Sequence, residues 1–360
     1  FKGTQKRTAF AISDEMDRIG AQTNALTGKD ITCYYAKSTT ENAAAAFEIL
    51  ADLFLNSAFP EEEMAREKNV IIEEISMNED TPDDLCLDLL SEAYYGREGY
   101  GRNILGTREN VLGFTGADVD RYMKARYTSD NIVISMAGNI SVQLAEELAE
   151  KYFGGLPATH ADKRVIGVSA RHRSLVKHKD IEQVHIALAW PSVTRDDRLY
   201  DAVRIMNSVL GGSMSSRLFQ EVREKLGLAY TVYSYNSAYA DTGTLVVYAG
   251  VNAKNYLRSV DAVKKCIDDV KGGKIGREEF ERGREQLKAS SIFAQESTSS
   301  QMLLYGKEML YSGKPYSFEE RIAAINAVTA DDLAEAIEGS FNNDGMAASL
   351  VGKLDKPLVI

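Results

Sequence analysis

Residues 114–139 read FTGADVDRYMKARYTSDNIVISMAGN, and residues 328–353 read VTADDLAEAIEGSFNNDGMAASLVGK. Laid over each other without a gap, Thr115 meets Thr329, Asp118 meets Asp332 and Asp130 meets Asp344, while Ser135 and Gly138 meet Ser349 and Gly352. Each copy predicts a capped helix, a turn and then a strand. The likeness extends upstream. Tyr35-Ala36 pairs with Tyr248-Ala249 at the end of a strand, and an amphipathic helix follows each, with Phe47, Leu50 and Phe54 matching Val260, Val263 and Ile267. Self-similarity on this scale means two homologous units. We therefore predict an α+β chain of two α/β-sandwich domains, each an antiparallel-rich sheet covered by helices on one face. The domains fall at 1–158 and 181–360, with a polar linker rich in Lys, Arg and His at 159–180.

The repeat also bears on where the chain begins. In the second copy the strand IEQVHIALAW and the helix SVTRDDRLYDAVRIMNSVLGG precede Gly227, whereas the matching Gly20 lies close behind Phe1. By that comparison a strand and most of a helix, about 27 residues or more, are expected upstream of Phe1.

Composition removes several function classes. With 360 residues, 44% apolar and 26% charged, the chain has enough apolar side chains for two cores. A net charge of −11 argues against a nucleic-acid surface. Cys33, Cys86 and Cys266 form no C-x-x-C, which fits a reducing compartment rather than a disulfide scaffold or a cysteine zinc site. No apolar run approaches the roughly 20 residues of a membrane-spanning helix. Gly211-Gly212 belongs to neither a phosphate loop nor a dinucleotide fingerprint, so no nucleotide is implied.

One helix carries acids where apolar residues are expected. It opens at Pro60-Glu61-Glu62-Glu63, with proline and acids in the first turn as the helix dipole favours. At about 100° per residue, Glu67 and Glu74 fall within roughly 20° of each other, inside the arc of Met64, Val70, Ile71 and Ile75, while Glu73 points to solvent. The second copy places Phe280, Gly283 and Ser290 where the first has Met64, Glu67 and Glu74. Burying a carboxylate costs several kcal/mol (of order 3–5) unless a cation or strong donors compensate. A metal ligand with a supporting acid would account for the pair. So would a helix turned to bring both acids to water, or pairing with arginine.

FKGTQKRTAFAISDEMDRIGAQTNALTGKDITCYYAK, EKNVIIEEISMNEDTPDD, GRNILGTRENV, YTSDNIVISMAGN and MSSRLFQEVREKLGLAYTVYS together resemble the pitrilysin (inverzincin) family of zinc metallopeptidases. Within it they are similar to bacterial relatives of the mitochondrial processing peptidase β-subunit. The resemblance covers essentially the whole chain. It implies a Zn2+-dependent endopeptidase cleaving extended or unfolded peptides, with two His ligands and a general-base Glu in an H-x-x-E-H motif. In the family that motif lies just before the stretch resembling Phe1-Lys2-Gly3-Thr4, so the chain as given is expected to be inactive. None of His160, His172, His178 and His185 has the spacing to replace it. Glu74 takes the place of the third zinc ligand and Glu67 that of a supporting acid.

The same resemblance assigns substrate residues. Asn24 and Ala25 match an edge strand that pairs with extended peptide, a mode giving affinity with little sequence selectivity. Arg223 and Tyr230 match a pair that donates to the substrate carbonyl and the developing oxyanion, a task for which guanidinium and phenol are suited. Family members of this size form homodimers or heterodimers with a second member. In these the second domain of one subunit faces the zinc of the other. A bacterial cytoplasmic location is expected. The rival reading is a non-catalytic family member serving as partner or scaffold subunit.

Overall fold

The computed structural model describes residues 1–157, 173–341 and 345–354. Most of the linker, His160, His172 and Asp344 lie outside them. The described residues form two compact units, drawn from Phe1–Ile75, 104–157 and Ala294–Tyr316 for the first and from Ser76–Asn103, 173–293, 317–341 and 345–354 for the second.

The first unit holds a hairpin, β1 (Gln22–Thr27) and β2 (Thr32–Lys37), paired antiparallel with Asn24 opposite Tyr35 and Ala25 opposite Tyr34. Helices Ala9–Arg18 and Ala43–Leu55 close a small core of Ile12, Met16, Ala46, Ile49 and Leu53. Beside it Phe54 stacks on Tyr127 at 4.9 Å between ring centres, meets Tyr34 edge-on and packs at a tilt against Phe153. The expected capped helix is present at Gly116–Arg126. Thr115 accepts from the Asp118 N–H and Asp118 accepts from the Thr115 N–H. Its continuation at 132–138 was expected to be a strand and is not one, having no strand partner among the described residues.

The second unit carries the larger sheet. β3 (Ser174–His178), β4 (Gln183–Ser192), β5 (Ala229–Ala238), β6 (Gly243–Asn252) and β7 (Ala347–Gly352) lie in the order β3-β7-β4-β6-β5. Only β3 and β7 run parallel. Here the copy matching 132–138 is a strand, β7, because β3 and β4 pair with it on both sides. Helix Ala330–Ser340 repeats the reciprocal cap with Thr329 and Asp332. The two-residue period of strands then sorts side chains between faces. Val184, Ile186, Leu188 and Trp190 meet Ile205 and Met206 of helix Tyr200–Leu210, Val260, Val263 and Ile267 of helix Tyr256–Lys271, and Leu333 and Ile337.

The sheet is covered on both faces, not on one as expected. On the second face Ala187, Ala189, Val246, Tyr248, Ala347 and Val351 receive Cys86, Leu90, Ala93 and Tyr94 of helix Pro82–Tyr95. Three alanines there leave room for close approach of the helix. That helix comes from the first half of the sequence. Its counterpart in the second half, at the register matching Met64 to Phe280, is helix Thr298–Ser312, which belongs to the first unit. Equivalent helices are thus exchanged between the compact units.

Candidate functional site

In the second unit, Leu218 and Val222 are fully buried and fix the roll of a short helix, Phe219–Lys225, with π-helical bonding. The Leu226 N–H reaches back to Glu221 O, and Gly227, at φ +60°, reverses the chain so that the Leu228 N–H returns to Val222 O at 2.9 Å. A bulge follows at once in β5. Ala229 faces Val251 and Thr231 faces Gly250, so Tyr230 is the extra residue and stands 76% exposed. Both irregularities are of the kind that re-aim side chains. They bring the sequence-predicted pair together: the Arg223 guanidinium carbon lies 5.7 Å from the Tyr230 ring centre and 4.7 Å from that of Phe219. Its ion pair is a loose one, Nε to Glu224 at 3.7 Å. Two unspent donors at one surface can hold a carbonyl oxygen.

In the first unit, helix Glu61–Asp80 buries only Ile75, while Val70 and Met77 are exposed. The face expected to be apolar is therefore only partly covered: Ile75 is buried, Met64 and Ile71 are half-buried and Val70 is open to water. Glu74 is exposed and Glu67 is half-exposed, its carboxylate 3.1 Å from Lys2 Nζ. The carboxylates sit two turns apart, about 10 Å along the axis. Asn24 and Ala25 lie on β1, whose outer edge no third strand covers among the described residues. Asn24 Oδ1 accepts from the Ala25 N–H at 2.8 Å.

A network that sequence reading missed fixes the Phe1–Thr4 segment. Arg7, 14% exposed, donates to Glu15 and Asp52 at 2.8 Å each and to Glu48 at 3.2 Å. Asp52, 4% exposed, also accepts from Thr4 Oγ1 at 2.8 Å and from Asn56 at 2.9 Å. Burial by itself would raise the Asp52 carboxyl, but donors from Arg7, Thr4 and Asn56 outweigh it and hold the group below its ordinary range. The only sequence signal was a lone arginine five residues from Lys2, with nothing to name its partners.

No group of three His, Cys, Asp or Glu among the described residues is arranged to hold a metal ion. Glu74 offers one carboxylate, which is not a zinc site in itself. His185 Nδ1 is paired with the Tyr248 hydroxyl at 2.7 Å and is half-buried on the sheet. No helix among the described residues is long and apolar enough to cross a membrane.

Residues 1–108 match the family model described as insulinase (peptidase family M16), and residues 113–287 match the one described as the peptidase M16 inactive domain. The chain is 42% identical to the uncharacterized zinc protease YmxG of Bacillus subtilis over 96% of its own length and 84% of that protein's. It is 36% identical to an uncharacterized zinc protease of Streptomyces coelicolor, covering 92% of this chain and 74% of the other. Among solved structures, the peptidase M16 inactive domain of Pseudomonas fluorescens superposes with a TM-score of 0.91 at 22% identity, covering 99% of this chain and 87% of that one. With two family models along its length and relatives this similar over nearly all of it, the chain belongs to the M16 peptidase family.

Proposed function

We propose that this chain is the body of a zinc-dependent endopeptidase acting on extended or unfolded peptides. The observation that carries the reading is the meeting of Arg223 and Tyr230 on irregular backbone, donors outward. In this reading the open edge of β1 at Asn24 and Ala25 takes the substrate backbone as an added strand. Arg223 and Tyr230 donate to the scissile carbonyl oxygen as it gains charge. Bound zinc would supply a polarised water in such an enzyme. Glu74 is the carboxylate this chain offers toward it, with the Glu67–Lys2 pair two turns back along the same helix face. We hold as parts of the same proposal the domains at 1–158 and 181–360, a homodimer or heterodimer with a family member, and a cytoplasmic location.

A second reading has one observation in its favour: the family model matching 113–287 is described as an inactive domain. Under it the chain is a partner or scaffold subunit. Zinc content and hydrolysis of a quenched peptide, measured on the full product of the gene beside Glu74→Gln, separate the two. The peptidase reading expects about one zinc per chain and turnover, with both lost in the variant. Neither zinc nor turnover in the unaltered protein would leave the scaffold reading standing.

A further inference from the structure

Arg223 is held in an unusual way. A surface arginine is commonly fixed by a carboxylate that takes up its N–H groups, as Glu279 takes those of Arg217 at 2.7 and 2.9 Å nearby. Arg223 has no such partner, Glu224 being 3.7 Å away. Instead its guanidinium lies 4.7 Å from the centre of the Phe219 ring, four residues back on the same helix. That is within the reach of about 6 Å at which a ring face attracts a cation. Face contact of this kind holds the planar cation and leaves its edge, where the N–H groups are, unspent.

The backbone under Phe219 is itself fixed. Arg217 binds Glu279 and the Lys274 carbonyl at one end. Buried Leu218 and Val222 hold the middle, and the Leu228 N–H closes the other end on Val222 O. Phe219 is partly buried, so its ring has less freedom than that of Tyr230, which is largely in water. Of the two rings beside Arg223, Phe219 is the better anchored.

We propose that Phe219 is the positioning residue for Arg223, its ring face holding the guanidinium while the N–H edge is kept for a substrate oxygen. The inference rests on the reading of Arg223 as an oxyanion donor. It predicts that a flat aromatic ring is required at 219, beyond apolar bulk.

The test uses the full gene product with Phe219→Leu, Phe219→Tyr and, as control, Arg223→Ala. Two readouts are taken. One is the NMR shift of the Arg223 side-chain N–H, moved upfield by a ring face and independent of any activity. The other is the kcat and KM of peptide hydrolysis. Phe219→Leu is expected to lose most of the upfield shift, the Tyr230 ring at 5.7 Å leaving a smaller part, and about 3- to 10-fold in kcat, with KM within about 2-fold. Phe219→Tyr keeps both. A leucine variant that retains the shift, or loses it with kcat unchanged, overturns the inference, as does a tyrosine variant as impaired as leucine. If Arg223→Ala lowers kcat and Phe219→Leu does not, this inference alone falls. If Arg223→Ala is also without effect, the oxyanion reading fails and takes this role with it.

Discussion

Ser349 donates its hydroxyl to the backbone carbonyl of Cys86 at 2.6 Å, joining the last strand of the sheet to the helix on its second face. Ser135, the repeat counterpart of Ser349, donates in the same way to Met302, the counterpart of Cys86, at 2.7 Å. The sequence repeat is therefore also a repeat of one hydrogen bond, made once in each compact unit. Each exchanged helix is fastened at the same point along its length.

This bond should be measurable. Ser349 and Cys86 are fully buried, and Ser349→Ala removes a donor with no water to replace it. We expect a loss of about 1–2 kcal/mol in urea unfolding. Ser135 is half-open, and Ser135→Ala should cost less. Equal or negligible losses in both would mean that the bond is incidental to helix docking.

The three thiols should differ in reactivity. Burial pushes Cys86 up to about 12 and Cys266 up to about 11. Cys33 is also raised by burial, partly offset by Lys307, but it is only half-buried on β2. At pH 8 a disulfide reagent should titrate Cys33 alone in the native protein and all three in urea. Rapid native labelling of Cys86 would contradict the packing of helix Pro82–Tyr95.

Acid should attack the first unit through Asp52. Its carboxyl is depressed in the folded state, so it contributes stability above its unfolded value, near 3.9, that is lost as pH falls through the lower folded value. Arg7→Met strands the buried Asp52 charge and should cost about 3 kcal/mol at pH 7. Less of that cost should be seen at pH 3, because protonating the carboxylate relieves the stranded charge. Chemical unfolding at the two pH values checks this, and a cost independent of pH would count against the ion-pair account.

The donor pair predicts a kinetic signature. Arg223→Ala should lower kcat by about 100- to 1,000-fold and Tyr230→Phe by about 10-fold or more, each with little change in KM, since both act on the charged oxygen of the transition state. Losses confined to KM would mean that the pair binds peptide without assisting the chemistry.

Local features were readable from residues because they are written in short range. The Thr-x-x-Asp caps, the hairpin carrying Asn24 and the apolar stripe Val260, Val263 and Ile267 each stand where spacing places them. Arg223 and Tyr230, seven residues apart in sequence, lie near each other, the guanidinium carbon 5.7 Å from the Tyr230 ring centre. Other features depend on information that a period does not contain. Cys86, Leu90, Ala93 and Tyr94 mark an apolar helix face, yet nothing in their spacing says which sheet receives it. The arc around Glu67 and Glu74 was drawn on the premise that its apolar members are covered, yet Val70 is exposed and Met64 and Ile71 are only half-buried. A strand at 132–138 has the right composition, but a strand exists only where a neighbour supplies the other half of its hydrogen bonds.

Helix exchange has a bearing on how such a chain can be dissected. A boundary drawn at the repeat would deprive each piece of one helix its unit requires. It would lay bare Ala187, Val246, Tyr248 and Val351 on the larger sheet. Separately expressed halves should therefore be sticky and poorly soluble, whereas two halves made together should recover each other. The stretch that repeats in the sequence is thus not the stretch that packs as a compact unit.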